Sequence, residues 1–282
     1  MDELFHAALA AIDAGDCAAL KKLLEAEPGL VHARAGSEDP PYDGYFRRAT
    51  LLHHCAGNPA RERALPDNIV EVARVLADAG ADVDAATEFR DERDRTTLGL
   101  VASSKAAAEG GFAEPMLDLL IERGADIDWG DGINLYGAFS RTVECEKLRD
   151  VAASLHRRGA RLDLGYAAAV GDLEALSGFL GGGALPPAAY ARYRPRENRF
   201  ESPTRRQVLD EALVFAAINS RVEAVDLLLE HGAALDGTAP VRAERPTALH
   251  AAVWAGSLPM VRHLLERGAD PRIRDEVRGS SA

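Results

Sequence analysis

The sequence predicts an all-α solenoid of about seven helix–turn–helix units, and three observations carry that expectation. Apolar residues recur at three- and four-residue spacing in short paired segments. Gly-Ala pairs close such segments at 80, 124, 159, 232 and 268. Paired alanines such as Ala251 and Ala252 stand where neighbouring units must approach closely. The sharpest copy runs from Pro246 to Pro271. Thr247 can cap a first helix with Leu249, Ala251, Ala252 and Val253 on its buried side, and Gly256 ends it. Leu258, Val261, Leu264 and Leu265 give the second helix its apolar stripe. Arg267 complements the helix dipole, and Gly268 stops the helix.

Thr247, Leu249, His250, Ala251, Ala252, Gly256, Val261, Leu264, Leu265, Gly268, Ala269 and Asp270 together resemble the ankyrin repeat, with Ala248 where the family usually has proline. The resemblance implies a structural role for His250, whose ring would hydrogen-bond between neighbouring turns. It also implies a binding role through finger loops and the concave face of the first helices.

The units follow in order within one domain, 1–282. The first, 2–34, carries Leu4, Phe5, Ala8, Leu9 and Ile12 on one helix and Leu20, Leu23 and Leu24 on the next. It resembles a capping repeat, whose outer face must be polar. An insertion at 35–48 holds Pro40-Pro41, Asp43-Gly44, Tyr42, Tyr45 and Phe46 and reads as a lengthened finger. The second unit, 49–85, opens with Thr50, Leu51, Leu52 and His53. His53 takes the structural place, and His54 a variable one that can face the inner surface. A charged insertion, 85–95, leads to the third unit, 96–129, with Gly99 at the histidine position and an enlarged turn between its helices.

The fourth unit, 130–162, has Tyr136 in the histidine place, and the fifth, 163–183, is compact, with Tyr166 toward the inner face and its closure near Gly182. Gly181-Gly182-Gly183 is no phosphate loop, for the lysine–serine pair is missing. The insertion at 184–207 places six arginines among Tyr190, Tyr193 and Phe200. It is either a solvated finger or a lid for an anionic partner. The sixth unit, 209–236, has Ser220 in place of the turn glycine, and the seventh is 246–271.

Composition narrows the function. The chain of 282 residues is 47% hydrophobic and 28% charged, as a folded protein should be. Its net charge of -12 argues against nucleic acid and against an anionic membrane surface as partners. Cys17, Cys55 and Cys145 are scattered and odd in number, which fits a reducing, cytoplasmic setting. No zinc motif, cofactor fingerprint or nucleophile triad is present, so neither metal nor cofactor is expected.

The expected role is a scaffold for a protein partner. Its candidate binding residues are Tyr45, Arg47, His54, Asn58, Ser103, Tyr136, Arg141, Tyr166, Arg194, Arg196, Asn219 and Trp254. The alternative is a small-molecule site, or a cofactor-free enzyme pocket between the inner helices and the 35–49 and 184–207 loops. There His54, Tyr45 and Asp43 would be the acid–base candidates.

Overall fold

The computed structural model describes residues 2–36, 46–56, 64–88, 95–129, 147–190, 203–239 and 245–274. They contain thirteen α-helices and three short 3-10 helices; the only extended pairings among them are two isolated bridges, Arg34–Thr50 and Thr238–Thr247. They group into two compact units, Met1–Ala160 and Arg161–Ala282.

In the first unit, α1 (Asp2–Ala14) buries Phe5, Ala8, Ala11 and Ile12. Gly15 reverses the chain at φ +66, and a Cβ there would lie 2.2 Å from the Asn68 amide oxygen. The position therefore needs glycine for its conformation and for the close approach, which lets Asn68 donate to the Gly15 carbonyl at 2.8 Å. Asp16 caps α2 (Cys17–Ala26) by accepting from the Ala19 N–H at 2.9 Å. A 3-10 turn, Pro28–His32, leads into the first finger.

A second 3-10 helix (Leu52–Ala56) and α3 (Ile69–Asp78) make the next pair. Then come α4 (Thr97–Ala102), capped by Thr96, and α6 (Ala113–Glu122). The enlarged turn between them folds into a helix of its own, α5 (Lys105–Glu109), capped by Ser104. With α7 (Lys147–Arg157) the second helices pack in series, α2 on α3, α3 on α6 and α6 on α7.

The second unit holds three further pairs: α8 (Leu164–Val170) with α9 (Leu173–Leu180), α10 (Arg205–Ile218) with α11 (Val222–Glu230), and α12 (Ala248–Trp254) with α13 (Leu258–Glu266). Ala167, Ala168, Ala216, Ala217, Ala251 and Ala252 are all within 0% exposure, so the first helices meet through paired alanines as the sequence requires. Among the described residues there are seven such second helices, α2, α3, α6, α7, α9, α11 and α13.

Two local features depart from the sequence reading. The fifth repeat ends at Leu180, and Gly181 stays right-handed at φ -65, so no left-handed closure forms near Gly182. Within the 184–207 insertion, Pro187–Tyr190 is a 3-10 turn and residues 205–207 already belong to α10. The reason is local: Thr204 and Gln207 form a reciprocal capping box, which starts the helix at Arg205. The helix is thereby lengthened, and every residue from Val208 to Ile218 is buried, Asp210 and Glu211 included. It packs on α8, α11 and α12 at once, which accounts for its lack of a polar face.

Candidate functional site

The finger bases are tied together by backbone groups. Ala35 N–H donates to the Ala49 carbonyl at 2.9 Å, Thr87 N–H to the Arg95 carbonyl at 3.0 Å, and Ala239 N–H to the Pro246 carbonyl at 3.1 Å. Arg34 joins the first finger base to the second, its guanidinium donating to the carbonyls of Arg48 (2.9 Å) and Ala86 (2.7 Å). Glu88 N–H adds a bond to the Arg47 carbonyl at 2.9 Å.

His53 fastens the same region from below. The Thr50 N–H can only donate, and it points at Nδ1 from 3.0 Å, so Nδ1 is the bare nitrogen and Nε2 carries the proton. Nε2 then donates to the Arg95 carbonyl at 3.1 Å, across to the next finger. Burial is the main cause that lowers the His53 pKa to about 4. His250 repeats the local half of this arrangement, its Nδ1 lying 2.8 Å from the Thr247 hydroxyl. In the fifth repeat Asp163 is the cap and Tyr166 stands at the histidine position, where its ring meets Phe215 edge-on at 6.1 Å. An aromatic contact there takes the place of the histidine relay.

Carboxylates link successive closing turns. Asp84 accepts from the Asp126 N–H at 2.9 Å, and Asp236 from the Asp270 N–H at 3.0 Å. Burial raises the Asp84 pKa, partly offset by the Asp126 N–H and reinforced by the charges of Asp126 and Asp82. On the outer helices Asp78 pairs with Arg123, Asp118 with Arg158, and Asp226 with Arg267 and His263. Each arginine immediately precedes a closing glycine.

The predicted binding residues fall into two groups. Asp43, Tyr45, Asn58, Tyr136, Arg141, Arg194 and Arg196 lie outside the described residues. Among the others, Arg47 sits half-buried at the first finger base, and His54 is enclosed, its ring edge-on to Phe46 at 4.9 Å and to Phe5 at 6.1 Å. Ser103, Asn219 and Trp254 lie at the C-terminal ends of the first helices of repeats three, six and seven, Ser103 and Asn219 as C-caps and Trp254 as the last helical residue. The Ser103 hydroxyl donates to the Gly99 carbonyl at 2.9 Å, and the Asn219 amide to the Phe215 carbonyl at 2.9 Å. Both side chains are thereby turned onto their own helix, whereas Trp254 stays half-exposed beside His250. Asp210 was not a candidate, yet it organises the loop after α11; the Thr204–Gln207 box was the signal that could have revealed its helix.

Among the described residues there is no group of three or more His, Cys, Asp or Glu placed to hold a metal, and no helix long and apolar enough to cross a membrane.

Residues 164–275 match the family model described as ankyrin repeats in three copies. Over these residues the chain is similar to ankyrin repeats. Solved ankyrin structures are similar over most of its length: the human ASB11 ankyrin repeat domain at 20% identity, covering 95% of this chain and 98% of that one, TM-score 0.43; and the ankyrin repeat domain of Bcl-3, a member of the IkappaB family, at 21% identity, covering 98% and 91%, TM-score 0.41. No curated protein matches the chain. The ankyrin match spans α8 to α13, the helices in which the buried alanine pairs recur.

Proposed function

We propose that this chain is a scaffold for a protein partner, held by the finger loops and by the exposed ends of the first helices. The observation that supports this most is Trp254. It is a large aromatic side chain left half-exposed at the register filled by Ala169 and Ile218 in the two preceding repeats, and tryptophan dominates binding energy where partners bury it. Packing alone does not call for tryptophan there, since smaller residues fill the same register elsewhere.

The alternative pocket for a small molecule, with His54 in acid–base work, gains no support from the His54 ring, which is closed in by Phe5 and Phe46. The test is to identify a partner with the full chain as bait, purify it, and titrate it against wild type and Trp254→Ala by calorimetry. Loss of about 1.4 kcal/mol or more, tenfold in Kd, is the expected result. Equal affinity for the two chains would overturn the role given to this surface.

A further inference from the structure

Five residues before their closing glycines, the second helices hold Val75, Leu119, Ser154, Leu227 and His263. Val75 and Leu119 are buried and Leu227 is half-buried, so apolar packing is the ordinary use of this register. Ser154 and His263 depart from it, and both reach an acid on the second helix of the preceding repeat. Ser154 is fully buried, and its hydroxyl donates to the Glu114 carboxylate on α6 at 2.5 Å. The His263 ring lies with Nε2 2.6 Å from the Asp226 carboxylate on α11.

In both places the arginine before the closing glycine joins the same acids. Arg158 donates to the Ser154 hydroxyl, pairs with Glu114 at 2.9 Å and donates twice to Asp118, at 2.9 and 2.7 Å. Arg267 pairs with Asp226 at 2.7 Å, on the oxygen that faces His263. One such clasp joins α6 to α7 in the first compact unit, and one joins α11 to α13 in the second. At the junction of α3 with α6, Arg123 also reaches Asp78, but Leu119 keeps the buried position apolar.

We propose that the two clasps are salt-operated fasteners. Rising ionic strength releases α7 from α6 and α13 from α11 by local opening, while the helices before them stay packed. The physical difference lies in what solvent ions can reach. Glu114 and Asp118 are about half exposed and Asp226 is 29% exposed, so dissolved ions screen the attraction that closes these junctions. A leucine in the same register carries no charge to screen. Because each repeat of a solenoid leans only on its neighbours, weakening one junction opens one helix rather than the whole unit.

Hydrogen exchange of the full chain, read by mass spectrometry at one pH in about 0.05 and about 0.5 M NaCl, tests this. Amides of α7 and α13 should exchange about three- to fivefold faster at the higher salt. Those of α6 and α11, packed on α3 and α9, should keep their rates. Arg158→Met should bring α7 to the faster rate already at low salt, with no further response, and leave α13 as in wild type. Arg267→Met should do the converse. Wild-type rates in α7 and α13 that ignore salt would overturn the proposal. So would an equal rise in α6 and α11, which would mean that whole units open, or an Arg158→Met chain whose α7 still answers to salt.

Discussion

The carboxylate of Asp210 accepts a hydrogen bond from the backbone N–H of Ala234 at 2.7 Å. Elsewhere the N–H at this point of the closing turn is met by an acid from the preceding turn, as Asp126 is met by Asp84 and Asp270 by Asp236. The turn before Ala234 is Gly181-Gly182-Gly183 and offers no carboxylate. The lengthened α10 supplies one instead, with Arg206 donating to the same group at 3.0 Å. Asp210→Ala should therefore lower stability by about 1–3 kcal/mol, the cost of an N–H left without its partner. Urea denaturation reads the change, and a loss below the error of the midpoint would remove this role.

Gly237 makes that approach feasible, since a Cβ there would sit 2.4 Å from the Asp210 carboxyl carbon. Gly237→Ala should cost about 1–3 kcal/mol through the clash. In the Asp210→Ala background the same change should cost much less. Additive losses in that double-mutant cycle would show that the two residues act independently.

Ser220 occupies the turn with φ 59, where Gly171 and Gly256 stand in the neighbouring repeats at φ 80 and 65. A side chain in this region is strained by roughly 1–2 kcal/mol, while glycine loses more chain entropy on folding. Ser220→Gly should therefore raise stability by about 1 kcal/mol, seen as a higher melting temperature. A lower one would mean that the serine side chain contributes more than its backbone strain removes.

His53 makes the first unit sensitive to acid. Its folded pKa, about 4, lies below the ordinary value of 6.5, so the unfolded chain takes up the proton first as pH falls. The histidine's contribution is complete above about pH 6.5 and is lost progressively between 6.5 and 4, about 3 kcal/mol in all. His53→Gln can still accept from the Thr50 N–H but does not titrate. Denaturant midpoints measured from pH 7 to 4.5 should fall for wild type more steeply than for this variant; parallel curves would rule the histidine out as the cause.

Asp84 works in the opposite sense. With its pKa raised, chiefly by burial, the folded state favours the protonated acid, so the contribution present in acid is lost as pH rises through that value. Asp84→Asn keeps an oxygen for the Asp126 N–H and removes the repulsion from Asp82 and Asp126. It should stabilise the chain at pH 7 by less than about 1 kcal/mol, with the gain vanishing at low pH.

Most of the fold was legible because its constraints are local. Gly80, Gly124, Gly159, Gly232 and Gly268 all adopt positive φ at helix ends, and the alanine pairs lie where helices touch. The structural place of His53 was implied by the family resemblance that Thr50, Leu51, Leu52 and His53 carry. What escaped the sequence was tertiary substitution. Nothing in Gly181-Gly182-Gly183 announces that a missing acid will come from Asp210, nor does Tyr166 announce that Phe215 will meet it. Of the candidate site, the placing of Ser103, Asn219 and Trp254 at first-helix ends could be read from repeat spacing, while the enclosure of His54 by Phe46 and Phe5 is a tertiary contact that no local pattern announces.

The borrowed carboxylate also limits how freely this array can be rearranged. Repeats that each satisfy their own turn can be deleted, duplicated or exchanged like beads. Here, cutting the sixth repeat back to the length of its neighbours would discard Asp210 and leave the Ala234 turn bare. Recombination or engineering should therefore move the stretch from the triple glycine to Gly237 as one indivisible cassette.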